Sequence, residues 1–420
     1  MTAGPVSKSI QKLFFYREPN RAAYGVDHSG TLGDYVLIPT MEGSIDHDPG
    51  KVMIDPGQTV QHVYDWREKI PGHKAWSLSF QTPLAPTGVP AGDGVPATIG
   101  PAAELLAVVA GGAAVGTGTT VSVTWTDGIS GTLTDASSLA PGMAVGFVIA
   151  GRFYVREIES VVGSTITLKV ALPSAPQATD VVYGGVTIYL DRNPQASAQF
   201  LVIGEEEDDR YIFRGGWGTV SIELAMSGEA EPMLSFEFQG RRWDYGEDGA
   251  TDLSLEPFNP EAYASYSPIS DHVGEFIEQA VGVSALVTTP VKAMTWTLNL
   301  ENQPITDPSA EEGIRHWMRK RGNAPTIQGS FTPSFYEDLT RQKRRDNRDD
   351  MYLAYAFGTS PTTGAVLLTA SRVQYTASPP GESDGVGVEV TEWEGRNDGD
   401  TVEATPTDLG LSCFRVHLVG

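Results

Sequence analysis

Hydrophobic and polar residues alternate through Val220, Ile222, Leu224 and Met226, with Ser221, Glu223 and Ala225 between them. Past a turn around Ser227-Gly228-Glu229, Leu234, Phe236 and Phe238 alternate with Ser235, Glu237 and Gln239. A period of two with one apolar and one polar side marks half-buried strands, and the glycine between them supplies the turn. The stretch predicts a long antiparallel hairpin. Val220, Ile222, Leu224, Leu234, Phe236 and Phe238 form its expected core face. Ser221, Glu223, Ser235, Glu237 and Gln239 form the expected wet face.

Most of the remaining chain reads as short strands. Residues 1–67 are expected to form an arm with strands, one of them over Tyr35 to Pro39, and a turn over Ile45 to Gly50. Ala75 to Phe80 alternates cleanly and predicts a strand. Pro101 to Gly112 predicts one short helix, because proline suits a first turn and glycine an end. From 113 to 190 charge is sparse and Gly, Thr, Ser and Val dominate. Strand-like runs at 121–125, 144–148, 153–158, 165–170 and 186–190 recur about every ten residues, the spacing of a small antiparallel barrel or sandwich. This segment is expected to be an insert. Prolines 257, 260, 268 and 290 mark 251–291 as a connector, with a helical turn or two over Gly274 to Val281.

The second half echoes the first. Trp296-Thr297-Leu298 follows the pattern of Trp76-Ser77-Leu78, and Pro308-Ser309-Ala310-Glu311 opens a helix as Pro101-Ala102-Ala103-Glu104 does. Val373-Gln374-Tyr375-Thr376 matches Val220-Ser221-Ile222-Glu223, and Glu392-Trp393-Glu394-Gly395-Arg396 matches Glu237-Phe238-Gln239-Gly240-Arg241. The shared order predicts a duplicated fold. Its segments are 68–112 with 191–250, and 292–420, with 113–190 inserted in the first copy. Gln374, Thr376 and Glu389 are the second-half candidates for the wet face.

The charge balance narrows the function. There are 53 acidic and 29 basic residues, a net charge of −24, which disfavours tight binding to nucleic-acid phosphates. The single cysteine, Cys413, allows no intrachain disulfide and no Cys-rich zinc site, and is expected in the core. The first residues lack the apolar run of a signal peptide, and no run approaches the ~18 apolar residues of a membrane span.

Candidate chemistry is thin. Asp46, His47 and Asp48 are metal-ligand types, but neighbours on a strand point to opposite faces. Glu205 to Asp209 reads as a solvated hairpin tip, since like-charge blocks stay in water. The glycines at 116 and 118 and at 215, 216 and 218 lack the lysine or the strand–helix context of a phosphate loop. Glu223 and Glu237 could serve as a carboxylate pair for glycoside chemistry, yet both lie on the alternating polar face. Arg341 to Asp350 is a basic run, expected to be a solvated helix start or a contact to acidic loops of another subunit. No catalytic, cofactor or metal site is expected.

The stretch GWGTVSIELAMSGEAEPMLSFEFQGRRW resembles the motif of phage major tail tube proteins, in which a strand and glycine-turn pair ends in F-x-F-x-G. KIPGHKAWSLSFQTPL resembles the strand before their helix, and Pro141 to Leu190 resembles a small β insert of tail tube relatives. The resemblance covers roughly residues 30 to 420. It implies a mainly β protein: two tail-tube-like β-sandwich or barrel domains, each with a flanking helix, plus a small inserted β-barrel. It further implies a non-enzymatic virion structural protein whose rings stack into a tube. Two fold copies per chain would let three chains close a pseudo-sixfold ring. The implied partners are other copies, tail tip or baseplate and terminator proteins, a tape measure protein, and double-stranded DNA passing without specific binding. A second reading is a carbohydrate-binding or adhesin-like β protein, with Trp125, Trp217, Trp243 and Trp393 lining a groove.

Overall fold

Alternation dictates the local structure. Strand Trp76–Pro83 buries Trp76, Leu78 and Phe80 and leaves Ser77 exposed, the two-residue period of a pleated ribbon with one wet side. A computed structural model describes residues 11–18, 35–41, 43–54, 70–84, 94, 99–191, 196–203, 210–224, 232–245, 274–281, 288–298, 302–306, 314–319, 327–333, 340–361, 364–383, 386–395, 409 and 412–419. The protein is mainly β, with a 16-stranded antiparallel sheet that curls into a half-barrel.

Strand Arg210–Leu224 is the branch point of that sheet. One edge pairs with Met233–Tyr245 along nearly its whole length. The other edge pairs first with Ser197–Ile203 and then with Val291–Leu298. Gly215, at φ 63, and a register shift between Ala198 and Phe200 mark where the first partner ends. Strand Gly364–Ala377 branches in the same manner. Met351–Ser360 lies on one edge, and Phe414–Val419 followed by Thr391–Gly395 on the other.

These branches stitch the halves together twice. Val220 to Leu224 pairs with Met294 to Leu298, and Gly185 to Tyr189 pairs with Arg415 to Val419. Helix α1 (Pro101–Ala110) lies within the curl, against strands Lys12–Glu18, Gly185–Leu190 and Arg210–Leu224. Being covered all round, it buries Leu105, Leu106, Val108 and Val109 alike. Gly111, at φ 101, ends it with an N–H bond to Ala107 O. One core takes residues from both halves, including Phe200, Phe236, Trp296, Leu368, Trp393 and Val416.

Thr119 to Tyr183 forms a separate 6-stranded antiparallel sheet with its own core of Trp125, Phe147, Ile158, Ile166 and Leu168. The expected insert was broader. Gly111–Val115 and Gly185–Leu190 pair with each other as part of the large sheet.

Other expectations differ from the structure. Gly274–Ala280 is a strand, not helical turns: its residues pair one for one with Met351 to Phe357, and that ladder overrides the helix-favouring Glu, Gln and Ala. Asp46–Asp48 is a short strand paired with Ser77 to Ser79 rather than a turn. Val121 keeps one bridge to Leu133, after which the chain bends so that Trp125 packs on Phe147 at 5.5 Å. The second described helix is α2 (Thr340–Asn347); the expected helix at Pro308 lies outside the described residues. So do the turn at 227–229, the acidic run 205–209 and residues 251–273 of the connector. The halves also differ in register. Gly240 pairs with Gly216, whereas Gly395 pairs with Val373, so the echoed motifs do not occupy matching ladder positions.

Candidate assembly face

The hairpin expected at 220–238 is present, and its faces separate as the alternation requires. Val220 pairs with Phe236 and Ile222 with Leu234. These four and Phe238 are buried; Ser221 and Ser235 are half-buried, and Glu237 and Gln239 are exposed. Glu223 and Leu224 hold their backbone places in the ladder, opposite Thr295 and Met294.

The wet side extends well beyond the hairpin. One unbroken row of paired residues runs Gln81, Ser235, Ser221, Thr297, Gln328, Glu394, Gln374. Every member is polar, and the row crosses from the first half to the second at Ser221–Thr297. One step along the strands, Thr295, Ser330 and Glu392 continue the same face. Hydroxyls and amides bond across it: Gln81 Nε2 donates to Ser235 Oγ at 3.1 Å, and Thr295 and Ser330 hydroxyls meet at 3.0 Å. The intervening row on the other side runs Thr82, Leu234, Ile222, Trp296, Gly329, Trp393, Tyr375 and faces the core.

Glycines in these strands make room for indoles. A Cβ on Gly240 would sit 2.0 Å from Trp76 Cε2, so the glycine that closes F-x-F-x-G is a close-approach position. Trp76 Nε1 donates to Arg214 O at 3.0 Å, tying Trp76–Pro83 to the branching strand. Gly329 does the same for Trp393, whose Cζ2 would lie 2.5 Å from an added Cβ.

Among the second-half candidates, Thr376 is exposed and Gln374 half-buried at the end of the row. Glu389 is not on the wet face. Its position opposite Pro380 turns it beneath α2, where it is fully buried. Burial pushes its carboxyl up, against the pull of Arg341.

Two buried ionic clusters hold the surrounding elements. Glu278 accepts from Arg341 Nε and Nη2 at 3.1 and 3.0 Å, from Arg344 Nη1 at 2.6 Å and from Tyr375 Oη at 2.7 Å. This docks α2, a helix with no apolar stripe, through hydrogen bonds to a buried carboxylate. Burial and the facing Glu278 push the Tyr375 hydroxyl well above its ordinary range. Glu157, on insert strand Arg152–Val162, accepts from Arg415 Nη1 at 2.8 Å and Tyr352 Oη at 3.2 Å and pairs with Lys169 at 3.1 Å. His417 lies behind it, its ring nitrogens 2.9 and 3.1 Å from the Thr187 and Thr369 hydroxyls. Neither cluster is legible from sequence. The one hint is Arg156-Glu157, adjacent charges that are both buried in a strand whose alternation should expose one of them.

Other readings of the sequence find less support in the geometry. Glu237 pairs with Thr219, four residues from Glu223 on the same strand, which separates their backbones by about 13 Å. Trp125, Trp217, Trp243 and Trp393 are all buried, at 4%, 6%, 6% and 1% exposure, and so cannot line an open sugar groove. Among the described residues, no group of three or more His, Cys, Asp and Glu could hold a metal ion, and no helix is long and apolar enough to cross a membrane. A cavity of about 620 Å³ lies between the insert and strand Gly274–Ala280, lined by Arg152, Tyr154, Glu275 and Phe276. No protein-family model and no curated protein matches this chain.

Proposed function

We propose that this protein is the structural subunit of a phage-type tail tube, self-assembling into stacked rings that enclose a channel for DNA. The observation that carries the reading is the uninterrupted polar row from Gln81 to Gln374 backed by an uninterrupted core-facing row. A wide ribbon with one wet side and one packed side is what a channel wall requires. Its exposed carboxylates include Glu237, Glu392 and Glu394, with Glu223 in the same register. A bore of this character repels phosphates and lets a duplex slide.

The junction of Val220 to Leu224 with Met294 to Leu298 supports the same reading. It joins two sheets edge to edge within one chain, by the kind of pairing that would join neighbouring copies in a ring. On this reading the halves are divergent copies of a tail-tube fold, three chains make a pseudo-sixfold ring, and the Thr119 to Tyr183 sheet decorates it. Tail tip, terminator and tape measure proteins would be the partners, and the virion tail the location.

Negative-stain microscopy of the concentrated full chain tests this. Rings or stacked tubes with threefold or sixfold symmetry are expected. A protein that stays monomeric at millimolar concentration would overturn the assignment.

A further inference from the structure

The cavity of about 620 Å³ lies where two sheets meet. One wall is Gly151 to Val155 of the insert; the other is Gly274 to Phe276 and its ladder neighbour Ala356 of the large sheet. Its size falls in the range of sites that enclose small organic ligands. Aromatic rings stand on both walls, and each is braced from behind. Phe153 meets Tyr183 edge to face at 5.5 Å, and Phe276 packs on Phe331 at 4.9 Å.

Only Arg152 and Glu275 among the lining residues carry a charge at neutral pH. They are not equivalent. Glu275 is half-buried and already neutralised, its Oε2 lying 2.9 Å from Arg156 Nη1. Arg156 is buried, and its Nη2 has no hydrogen-bond partner among the described residues. Arg152 is exposed, and its guanidinium stands 6.0 Å from the centre of the Tyr154 ring. Arg156 stands 5.5 Å from the centre of that same ring. Two guanidiniums on one tyrosine, against one carboxylate, leave this place with a positive surplus in a chain of net charge −24. A guanidinium laid against an aromatic face keeps its donor edge for a carboxylate or phosphate. Low-dielectric walls focus such a field into the cleft.

We propose that this cavity is a binding site for a small aromatic anion, whose ring takes the apolar walls and whose carboxylate or phosphate is held by Arg152. Its occupant touches both sheets, so binding fastens the insert to the large sheet at a second place besides Glu157. The site stands on these residues alone and does not depend on how copies of the chain assemble.

The test is isothermal titration calorimetry of the full chain with phenyl phosphate and with benzoate, which separate the two head groups. Saturable one-site binding of at least one of them is expected. Benzylamine and benzyl alcohol carry a ring without the negative charge, and inorganic phosphate carries the charge without a ring; each is expected to bind at least about tenfold more weakly. Arg152→Gln, at an exposed position, is expected to keep the fold and weaken the aromatic anion by about tenfold or more. Lys343→Gln, an equal charge change on α2, is expected to leave binding unaltered. Ala356→Leu narrows the cavity from the opposite wall and should weaken the same ligand, so the outcome does not hang on one variant. In hydrogen exchange, the bound anion should slow residues 152–155 and 274–280 together. No saturable binding of either anion, equal binding of benzylamine, or undiminished binding by both Arg152→Gln and Ala356→Leu overturns the site. None of these results bears on the tube reading, which microscopy decides separately.

Discussion

Glu157 and Arg415 are 258 residues apart in sequence and 2.8 Å apart in space, and neither side chain is more than 1% exposed. One lies on the inserted sheet and the other on the last strand of the large sheet. Their pairing joins the two sheets at a point where water is excluded.

Removing one member of such a pair leaves the other charge buried and uncompensated, which costs about 3–5 kcal/mol. Glu157→Gln is expected to lower the unfolding free energy measured in urea by that order, because Arg415 and Lys169 both lose their counter-charge. An unchanged midpoint would show that the cluster contributes nothing to stability.

The same cluster sets an acid limit. Burial alone pushes the Glu157 carboxyl up from its ordinary 4.5, but the charges of Lys169 and Arg415 outweigh it and hold it at about 2. Burial, foremost, pushes the His417 ring down from 6.5 to about 3. Both folded values lie below the unfolded ones, so the unfolded chain binds more protons across this window and stability falls with pH. The decline is expected to begin near 6.5 through His417, and to steepen below 4.5 as Glu157 joins it. Urea titrations from neutral pH to about pH 3 measure it, and His417→Gln should flatten the upper limb. A flat wild-type profile would contradict the assignment of both groups.

The two faces of the ribbon should respond differently to small changes. Gly240→Ala places a methyl 2.0 Å from the Trp76 ring, where backbone and indole both have to move; overpacking of this kind costs about 1–3 kcal/mol. Gln239→Ala, one residue away and exposed, should change stability by less than about 0.5 kcal/mol. Thermal unfolding with tryptophan fluorescence distinguishes them, and equal effects would mean that the faces are misassigned.

Helix α2 should depend on a single carboxylate. Glu278→Gln removes the charge that Arg341, Arg344 and the Tyr375 hydroxyl share. Hydrogen exchange across Arg341 to Asn347 is expected to rise by tenfold or more, about 1.4 kcal/mol of lost docking per factor of ten. Unchanged protection would show that α2 is held by something else.

Charge on the wet face should govern DNA contact rather than folding. E237K/E394K is expected to keep the wild-type unfolding free energy within about 0.5 kcal/mol. Assembled tubes of this variant should retain duplex DNA at low salt and release it steeply as salt rises. Tubes that ignore DNA in both forms would separate the acidic face from any bore.

The sequence is most informative where a period repeats. The hairpin faces at 220–238, the Trp76 strand and helix α1 follow directly from alternation, proline and glycine. Pairing partners are another matter. Nothing local in Val220 to Leu224 says that its far edge takes Met294 to Leu298, and nothing in GEFIEQA forbids a helix until the Met351 ladder is present. Glu389 illustrates a third limit. Its alternation with Thr391 places both on one side of a ribbon, but the helix that covers that side comes from elsewhere in the chain. Wet and dry cannot be read from period alone when a polar element supplies the cover.

The last strand, Phe414–Val419, sits between Gly185–Leu190 and Gly364–Ala377. During synthesis the ribosome releases it after everything it joins. Until then Gly185–Leu190 lacks its neighbour on that edge and Arg415 has not reached Glu157. Domains usually mature from the N-terminus while translation continues, but here closure waits for Phe414–Val419, which follows every strand it pairs with. A nascent chain stalled anywhere short of residue 414 would therefore be a substrate for chaperones, whatever length has already emerged.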